Sequence, residues 1–465
     1  VTEEYNPQGD GGGLTFSIKV NVYGKEGEPV GEDVSDVIVD NIGDSGSTYD
    51  DGTDTFITGT DPNNYIWYSG KLWRAVSINN EAKTTKLVTQ WNISAIPYAS
   101  GSNTAFEGSY MEEWLNDESV DGFLGNLREP EKFIVMDAKW DATMDSSTDL
   151  GSIQKPNGTT IVEDAVGLLN IYEYKSSNNG GTDGYLNNGL EWFTITPYAE
   201  DYDINFISSS GVKAYFSSGY AYGVRPSINL KADIEIANGT GTINDPYRLT
   251  GDYDTDLNDT KLNTRYSGEY ISFGNGENNL YRIVSHEIEG FTKVTIAKPL
   301  KDSGAFRESA FGSNSTYSTT NTIGTFLSGS YLTNYVGSDY RSLIKSSTTW
   351  YLGSVTDGRS YRLAKYSDAT STSLTTSRVS STVGLLRLGE LMSGQFDRSE
   401  NNIAYWTLTP HFSTVRTLDV FGSGYNGGNS TDIKGIRPAL NLKEEVIITS
   451  GDGTKNNPFQ IALDS

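Results

Sequence analysis

The chain contains no cysteine. That absence removes disulfides, thiolate nucleophiles, zinc–thiolate sites and thiol redox chemistry together, while leaving the compartment open. Only two histidines occur, His286 and His411, at non-equivalent places, so no duplicated His-based metal site or triad can be assembled. No apolar run reaches the ~20 residues that a membrane-crossing helix needs. Basic charge is scarce: 35 Lys and Arg stand against 60 Asp and Glu, giving a net charge of -25 without any basic cluster. Such a field repels phosphate backbones and anionic membrane surfaces, and nucleic acid is excluded as an expected partner. No charged-then-apolar leader opens the chain, and its start at Val1 is read as processing or trimming that removes targeting and anchoring segments.

What is present is apolar and aromatic enough to build cores. Hydrophobic residues make up 36% and include 29 Tyr, which argues for folded domains over disorder. The 465 residues exceed the ~250 to 300 that one core supports, so two large domains are expected. Fifty Gly with abundant Ser, Thr and Asn suit short strands joined by many turns.

Self-similarity organises the chain. Gly435-Ile436-Arg437-Pro438-Ala439-Leu440-Asn441-Leu442-Lys443 matches Gly223-Val224-Arg225-Pro226-Ser227-Ile228-Asn229-Leu230-Lys231, at an offset of about 212 residues. Upstream, Phe193-Thr194-Ile195-Thr196-Pro197 pairs with Trp406-Thr407-Leu408-Thr409-Pro410, and Val166-Gly167-Leu168-Leu169 with Val383-Gly384-Leu385-Leu386. Trp73-Arg74-Ala75-Val76-Ser77 pairs with Tyr281-Arg282-Ile283-Val284-Ser285 at the front, and Trp114 with Tyr335 between. Blocks recurring in one order with slowly drifting spacing point to duplication. The division expected is an N-terminal strand segment over 1–46, repeat domain 1 over 47–250, an acidic linker over 251–260 and repeat domain 2 over 261–465. The two repeats are expected to fold independently.

Leu14, Phe16, Ile18, Val20 and Val22 alternate with Thr15, Ser17, Lys19, Asn21 and Tyr23, a period-2 strand with no repeat partner. It is expected to complete the first domain's sheet or to add to an edge on a neighbouring subunit. Tyr65 to Ile78 reads as a hairpin turning at Ser69-Gly70, followed by a strand at Thr85–Thr89. Helices are expected after the Ser109 cap and over Val162–Tyr174.

The motif Trp-Thr-Leu-Thr-Pro, then Gly-Ile-Arg-Pro-Ala-Leu-Asn-Leu, with its partner over Phe193–Leu230 and the opening Tyr65–Arg74, resembles an uncharacterised surface-protein domain of Gram-positive bacteria. By fold analogy the layout is similar to the C-type-lectin-like superfold. The resemblance implies an α+β, β-rich fold of two tandem diverged copies, at a secreted or cell-surface location.

Arg225 and Arg437, each before a proline (Pro226, Pro438), are read as buried forks that lock the closing strands, with Glu173 and Glu390 as their carboxylate partners. The paired aromatics are read as core. Between Thr-Pro and Gly-x-Arg-Pro identity is lost. Tyr198, Tyr202, Tyr215 and Tyr220 stand there in the first copy, and Phe412, Arg416, Asp419, Tyr425 and Asn426 in the second. Loops of this composition present large contact area at small entropic loss and form the expected ligand face. Asp252, Asp254 and Asp256 have the 1-3-5 spacing of a calcium loop, but Leu257 and Asn263 replace its Gly and Glu, and a solvated linker is the stronger reading. No cofactor is expected. The functions expected are an adhesin-like module binding a glycan or protein, then a filament, pilus or surface-layer subunit built by strand addition, and last a carbohydrate-active enzyme.

Overall fold

In the computed structural model the described residues are 23–25, 28–29, 31–99, 103–199, 202–286, 290–352, 378–424 and 426–464. The strand proposed over Leu14–Tyr23 lies outside them except for Tyr23, as does Tyr425. The molecule is 36% strand and 13% helix, so sheets carry the fold. No helix among the described residues is long and apolar enough to cross a membrane.

Residues 46–250 build two large sheets and a two-stranded one, Ala138–Asp141 with Ile161–Asp164. The larger runs Ser227–Leu230, Thr85–Thr89, Lys71–Asn79, Tyr65–Tyr68, Tyr247–Leu249 and Ile236–Asn238, with the Gly46–Asp50/Asp54–Gly59 hairpin added to Lys71–Asn79. The smaller runs Lys213–Ser217, Asp203–Ile207, Trp192–Pro197, Ala221–Val224 and Ser94–Pro97. The hairpin at Ser69-Gly70 forms as expected. Both residues sit at positive φ, 51° and 72°, the left-handed pair that a tight two-residue turn requires.

Residues 261–465 again give two principal sheets. One runs Tyr270–Ser272, Leu280–Ser285, Thr292–Ile296, Pro438–Leu442 and Val383–Leu385; the other Glu308–Ala310, Ile433–Gly435, Tyr405–His411, Thr414–Leu418 and Gly427–Asn429. Each half contains a parallel contact within an otherwise antiparallel sheet, Trp192↔Gly223 and Tyr405↔Gly435.

Ser109 caps the helix Tyr110–Leu115, accepting from the Glu112 N–H at 3.0 Å. The helix expected over Val162–Tyr174 begins only at Ile171. Ile161–Asp164 is a strand against Ala138–Asp141, and Gly167 bridges Ser227 and lies flat on the Trp140 indole, where a Cβ would sit 2.3 Å from the ring. The apolar spacing read as a helical face therefore belongs to a buried extended segment. Helix starts where Asn170 and Glu173 close a capping box.

Residues 31–46 are not a free leader: the helix Val34–Asp40 buries Val34, Val37 and Ile38, and Gly31 and Ile236 are joined by a backbone bond of 2.8 Å. Among the paired aromatics, Trp73, Tyr281, Phe193, Trp406 and Trp114 are core, while Tyr335 is half-exposed and donates to Asp302 at 3.2 Å.

The halves are packed together. Ala95 and Ala221 of the first join Leu388, Tyr405 and Leu418 of the second in one apolar cluster. Backbone bonds cross at Glu191 N–H to Phe421 O (2.8 Å), Gly394 N–H to Ile93 O (3.1 Å) and Gly424 N–H to Ala221 O (3.0 Å). The wholly buried Lys71 ammonium reaches Ser69 O at 2.9 Å and Ser267 O at 2.8 Å, one in each half.

Candidate ligand-binding site

Each half holds a buried cation at its closing motif. Arg225, with no exposed surface, donates from Nε to Thr89 O at 2.9 Å and from Nη1 to Leu186 O at 2.7 Å, lying 4.6 Å over Trp192. Arg437 donates from Nε to Ile296 O at 3.1 Å and from Nη1 to Met392 O at 2.8 Å, lying 5.5 Å over Tyr405. Pro226 O and Pro438 O accept from Thr89 N–H and Thr295 Oγ1, tying each turn to the neighbouring strand. The expected Arg–Glu pairing is not made. Glu173 binds Lys86, and Glu390 binds Lys293 at 2.7 Å, each lysine beside a tryptophan, Trp140 or Trp350. Strand and turn carbonyls converge on each guanidinium, whereas the carboxylate is turned back by its own backbone: Glu173 Oε2 accepts from Asn170 N–H, and Glu390 Oε2 from Arg387 N–H. Both arginines are thus buried and bonded within the protein.

The described residues expected to form the ligand face differ widely in exposure. Tyr198 and Tyr215 stack with centroids 3.8 Å apart and planes 2° apart, with the Lys213 ammonium 4.6 Å over Tyr198. Tyr202 is 55% exposed at a hairpin tip, and Tyr220 is half-buried against Phe216. In the second half Phe412 is 65% exposed at the corresponding tip, and Asn426 is exposed. Arg416 and Asp419 are corrections. Arg416 is 3% exposed within the strand Thr414–Leu418, because its place in the sheet turns it inward. Asp419 spends its carboxylate on a turn, accepting from Phe421 and Ser423 N–H at 2.9 Å each, and burial raises its pKa against those bonds.

The acidic segment is not solvated along its length. Asp252 is buried and accepts from Ser69 N–H at 3.2 Å; burial pushes its carboxyl up to about 6, opposed by Arg248 and Arg128. Asp254 accepts from Arg128 at 2.6 Å and Arg265 at 3.1 Å; burial raises its pKa, but the two guanidiniums outweigh that and hold it low. Asp256 is exposed. Two arginines thus occupy the side of Asp254 where a cation would sit, and among the described residues no group of three His, Cys, Asp or Glu could hold a metal ion.

A site-like concavity lies between the halves. It is a cleft of about 470 Å³ whose first-half wall carries Trp67, Trp91, Asn238, Asn244, Arg248 and Tyr253. Its second-half wall carries Tyr270, Arg282, Lys298, Phe396, Glu400, Asn401, Asp452, Lys455 and Asn456. Trp67 and Tyr270 meet across it at 6.1 Å, Asn456 Nδ2 donates to Asn244 O at 2.8 Å, and Arg248 reaches Asp452 at 3.4 Å. Volume, aromatic lining and a few convergent polar groups are the ordinary attributes of a small-ligand site. Glu400 is clamped by Lys298 at 2.9 Å and Lys455 at 3.1 Å; partial burial raises its pKa, and the two ammoniums outweigh that and hold it low. The buried Arg248 lies 4.7 Å over Tyr253, and its Nε has no hydrogen-bond partner among the described residues.

The Gly-rich turns Gly239–Thr242 and Gly451–Thr454, which recur at the same offset of 212 residues, adjoin the cleft, since Asn244, Asp245, Asp452 and Thr454 follow or belong to them. No sequence signal marked Trp91. Comparisons with protein-family models, curated proteins and solved structures gave no match.

Proposed function

We propose that this chain is an extracellular or cell-surface binding module that recognises a glycan in the cleft between its halves. The observation that carries the reading is the lining: half-buried Trp91, Tyr253 and Tyr270 present aromatic surface beside the exposed amides of Asn244 and Asn456, which donate and accept. The stacking partner of an aromatic is the apolar face of a sugar ring, and its hydroxyls match amide groups. A protein ligand is the competing occupant. Binding is favoured over hydrolysis because, of the four lining carboxylates, Glu400 and Asp452 are paired with cations and Asp397 accepts from Ser399 N–H at 3.2 Å, whereas glycoside cleavage needs one carboxyl held protonated beside another left free to act.

We also propose that the halves are diverged copies of one unit. In support, Ile195 N–H bonds Leu169 O as Leu408 N–H bonds Leu386 O, and Ile171 N–H bonds Thr196 Oγ1 as Leu388 N–H bonds Thr409 Oγ1.

A second, weaker face is supported by Tyr202 and Phe412, exposed aromatics held at φ 73° and 49°, a conformation bulky residues rarely adopt without a compensating use. A glycan array separates the readings. Binding abolished by Tyr253→Ala and kept by Tyr202→Ala supports the cleft, the reverse supports the tips, and an array without any glycan bound by the parent defeats the glycan reading.

A further inference from the structure

Resting on the glycan reading, we infer that the cleft is one end of a longer groove and that its occupant is a linear oligosaccharide lying across Trp91, not a single terminal sugar. A second cavity, of about 320 Å³, opens in the first half and is lined by Thr60, Asp61, Tyr65, Arg74, Trp91 and Tyr185 among others. Trp91 lines both cavities, so the two hollows share one half-buried indole as their common rim. That rim is held firmly. Trp91 O accepts from Thr89 Oγ1 at 2.9 Å, the preceding Gln90 N–H donates to Leu72 O at 2.8 Å, and Ile93 O is tied to the second half through Gly394 N–H.

The two hollows repeat one chemistry. In the first, the guanidinium of Arg74, 1% exposed, lies 3.5 Å over Tyr65 and 4.7 Å over Tyr185. In the cleft, the guanidinium of Arg282, 3% exposed, lies 4.6 Å over Tyr270 and 4.4 Å over Phe396. Each arginine stands opposite its tyrosine in register, Tyr65↔Arg74 and Tyr270↔Arg282. A ligand made of repeating units presents like groups to like hollows at successive positions, which a peptide of mixed sequence does not. With the indole between them to stack on, linked occupancy of both hollows raises affinity through effective concentration without any new kind of contact.

The test is calorimetric titration of the full chain with size-graded oligosaccharide ladders prepared from cellulose, xylan, chitin and polygalacturonate. For the ladder that binds, affinity is expected to climb by about ten-fold or more from the shortest binding member to those long enough to fill both hollows, and then to level off. Thr60→Trp and Asp183→Trp, two exposed positions that line only the first-half hollow, are each expected to reduce that long-to-short ratio toward one. Equal affinity at every length in the parent, or a ratio untouched by both variants with urea midpoints at the parent's value, overturns the groove while leaving the glycan reading standing. Failure of all four ladders together with an empty glycan array, or capture of an acidic peptide in their place, defeats the glycan reading itself and the groove with it.

Discussion

Arg225 and Arg437 hold their halves together through carbonyl oxygens, not carboxylates, and that changes what their removal leaves behind. Arg225→Ala strands Thr89 O and Leu186 O in a dry interior and opens a hole against Trp192, which should destabilise the protein by about 2 to 4 kcal/mol in urea unfolding. Arg225→Lys should restore little, because one ammonium cannot reproduce a fork aimed at two separate carbonyls. A parent-like midpoint for the alanine variant would refute the scaffold assignment. Glu191 makes a pH-dependent contribution of the opposite kind. Burial, aided by the Asp419 charge and opposed by Arg398, pushes its carboxyl up to about 7 from an ordinary 4.5. The folded state therefore holds this proton where the unfolded chain has released it, so folding stability falls as pH rises from about 4.5 to about 7 and stays reduced above that. Glu191→Gln should flatten this slope and raise the urea midpoint at pH 8 more than at pH 5. Equal midpoint changes at the two pH values would contradict it.

At the level of elements, the Lys293–Glu390 pair tests whether a buried ion pair braces the strand Thr292–Ile296 against the segment that follows Val383–Leu385. Its side chains are 2% and 6% exposed, so Glu390→Ala removes the carboxylate from a buried ammonium and should destabilise by about 3 to 5 kcal/mol. Lys293→Met with Glu390→Leu, which removes both charges and keeps volume, should recover most of that loss. A double variant as unstable as the single one would show that the carboxylate matters mainly as acceptor for Arg387 N–H. In the first half, Asn170→Ala should lower stability by about 1 kcal/mol through loss of the cap on Ile171–Ser177. Local elements were legible in the sequence where turn or cap chemistry announced them: the Ser69-Gly70 hairpin, the Ser109-capped helix, the strand Thr85–Thr89. The Val166–Leu169 segment misled because a continuous apolar run is compatible with a buried strand or a helix, and only Trp140 lying on Gly167 decides it. Residue types in the ligand face were legible but their orientation was not. Arg416 and Tyr215 look alike as loop residues until the sheet turns one inward and the other out.

Over the whole molecule, the repeat announces two similar halves but carries no information on how they meet. The cleft is built at that meeting from Trp67 and Tyr253 on one side and Tyr270 and Glu400 on the other. The expectation of independent halves needs revising for the same reason. Buried Lys71 donates across the junction, Arg128 and Arg265 share Asp254, and an apolar cluster spans both halves. Scanning calorimetry should therefore find one cooperative transition for the intact chain, with calorimetric and van't Hoff enthalpies close to each other. Two separated transitions would mean that the junction is too weak to couple the halves. The central claim is that ligand is held by both halves at once, and hydrogen exchange with a saturating binding oligosaccharide tests it most directly. Protection is predicted together at residues 238–253 of the first half and at 396–401 and 452–457 of the second, with the hairpin tips around Tyr202 and Phe412 unchanged; protection confined to those tips would contradict the account.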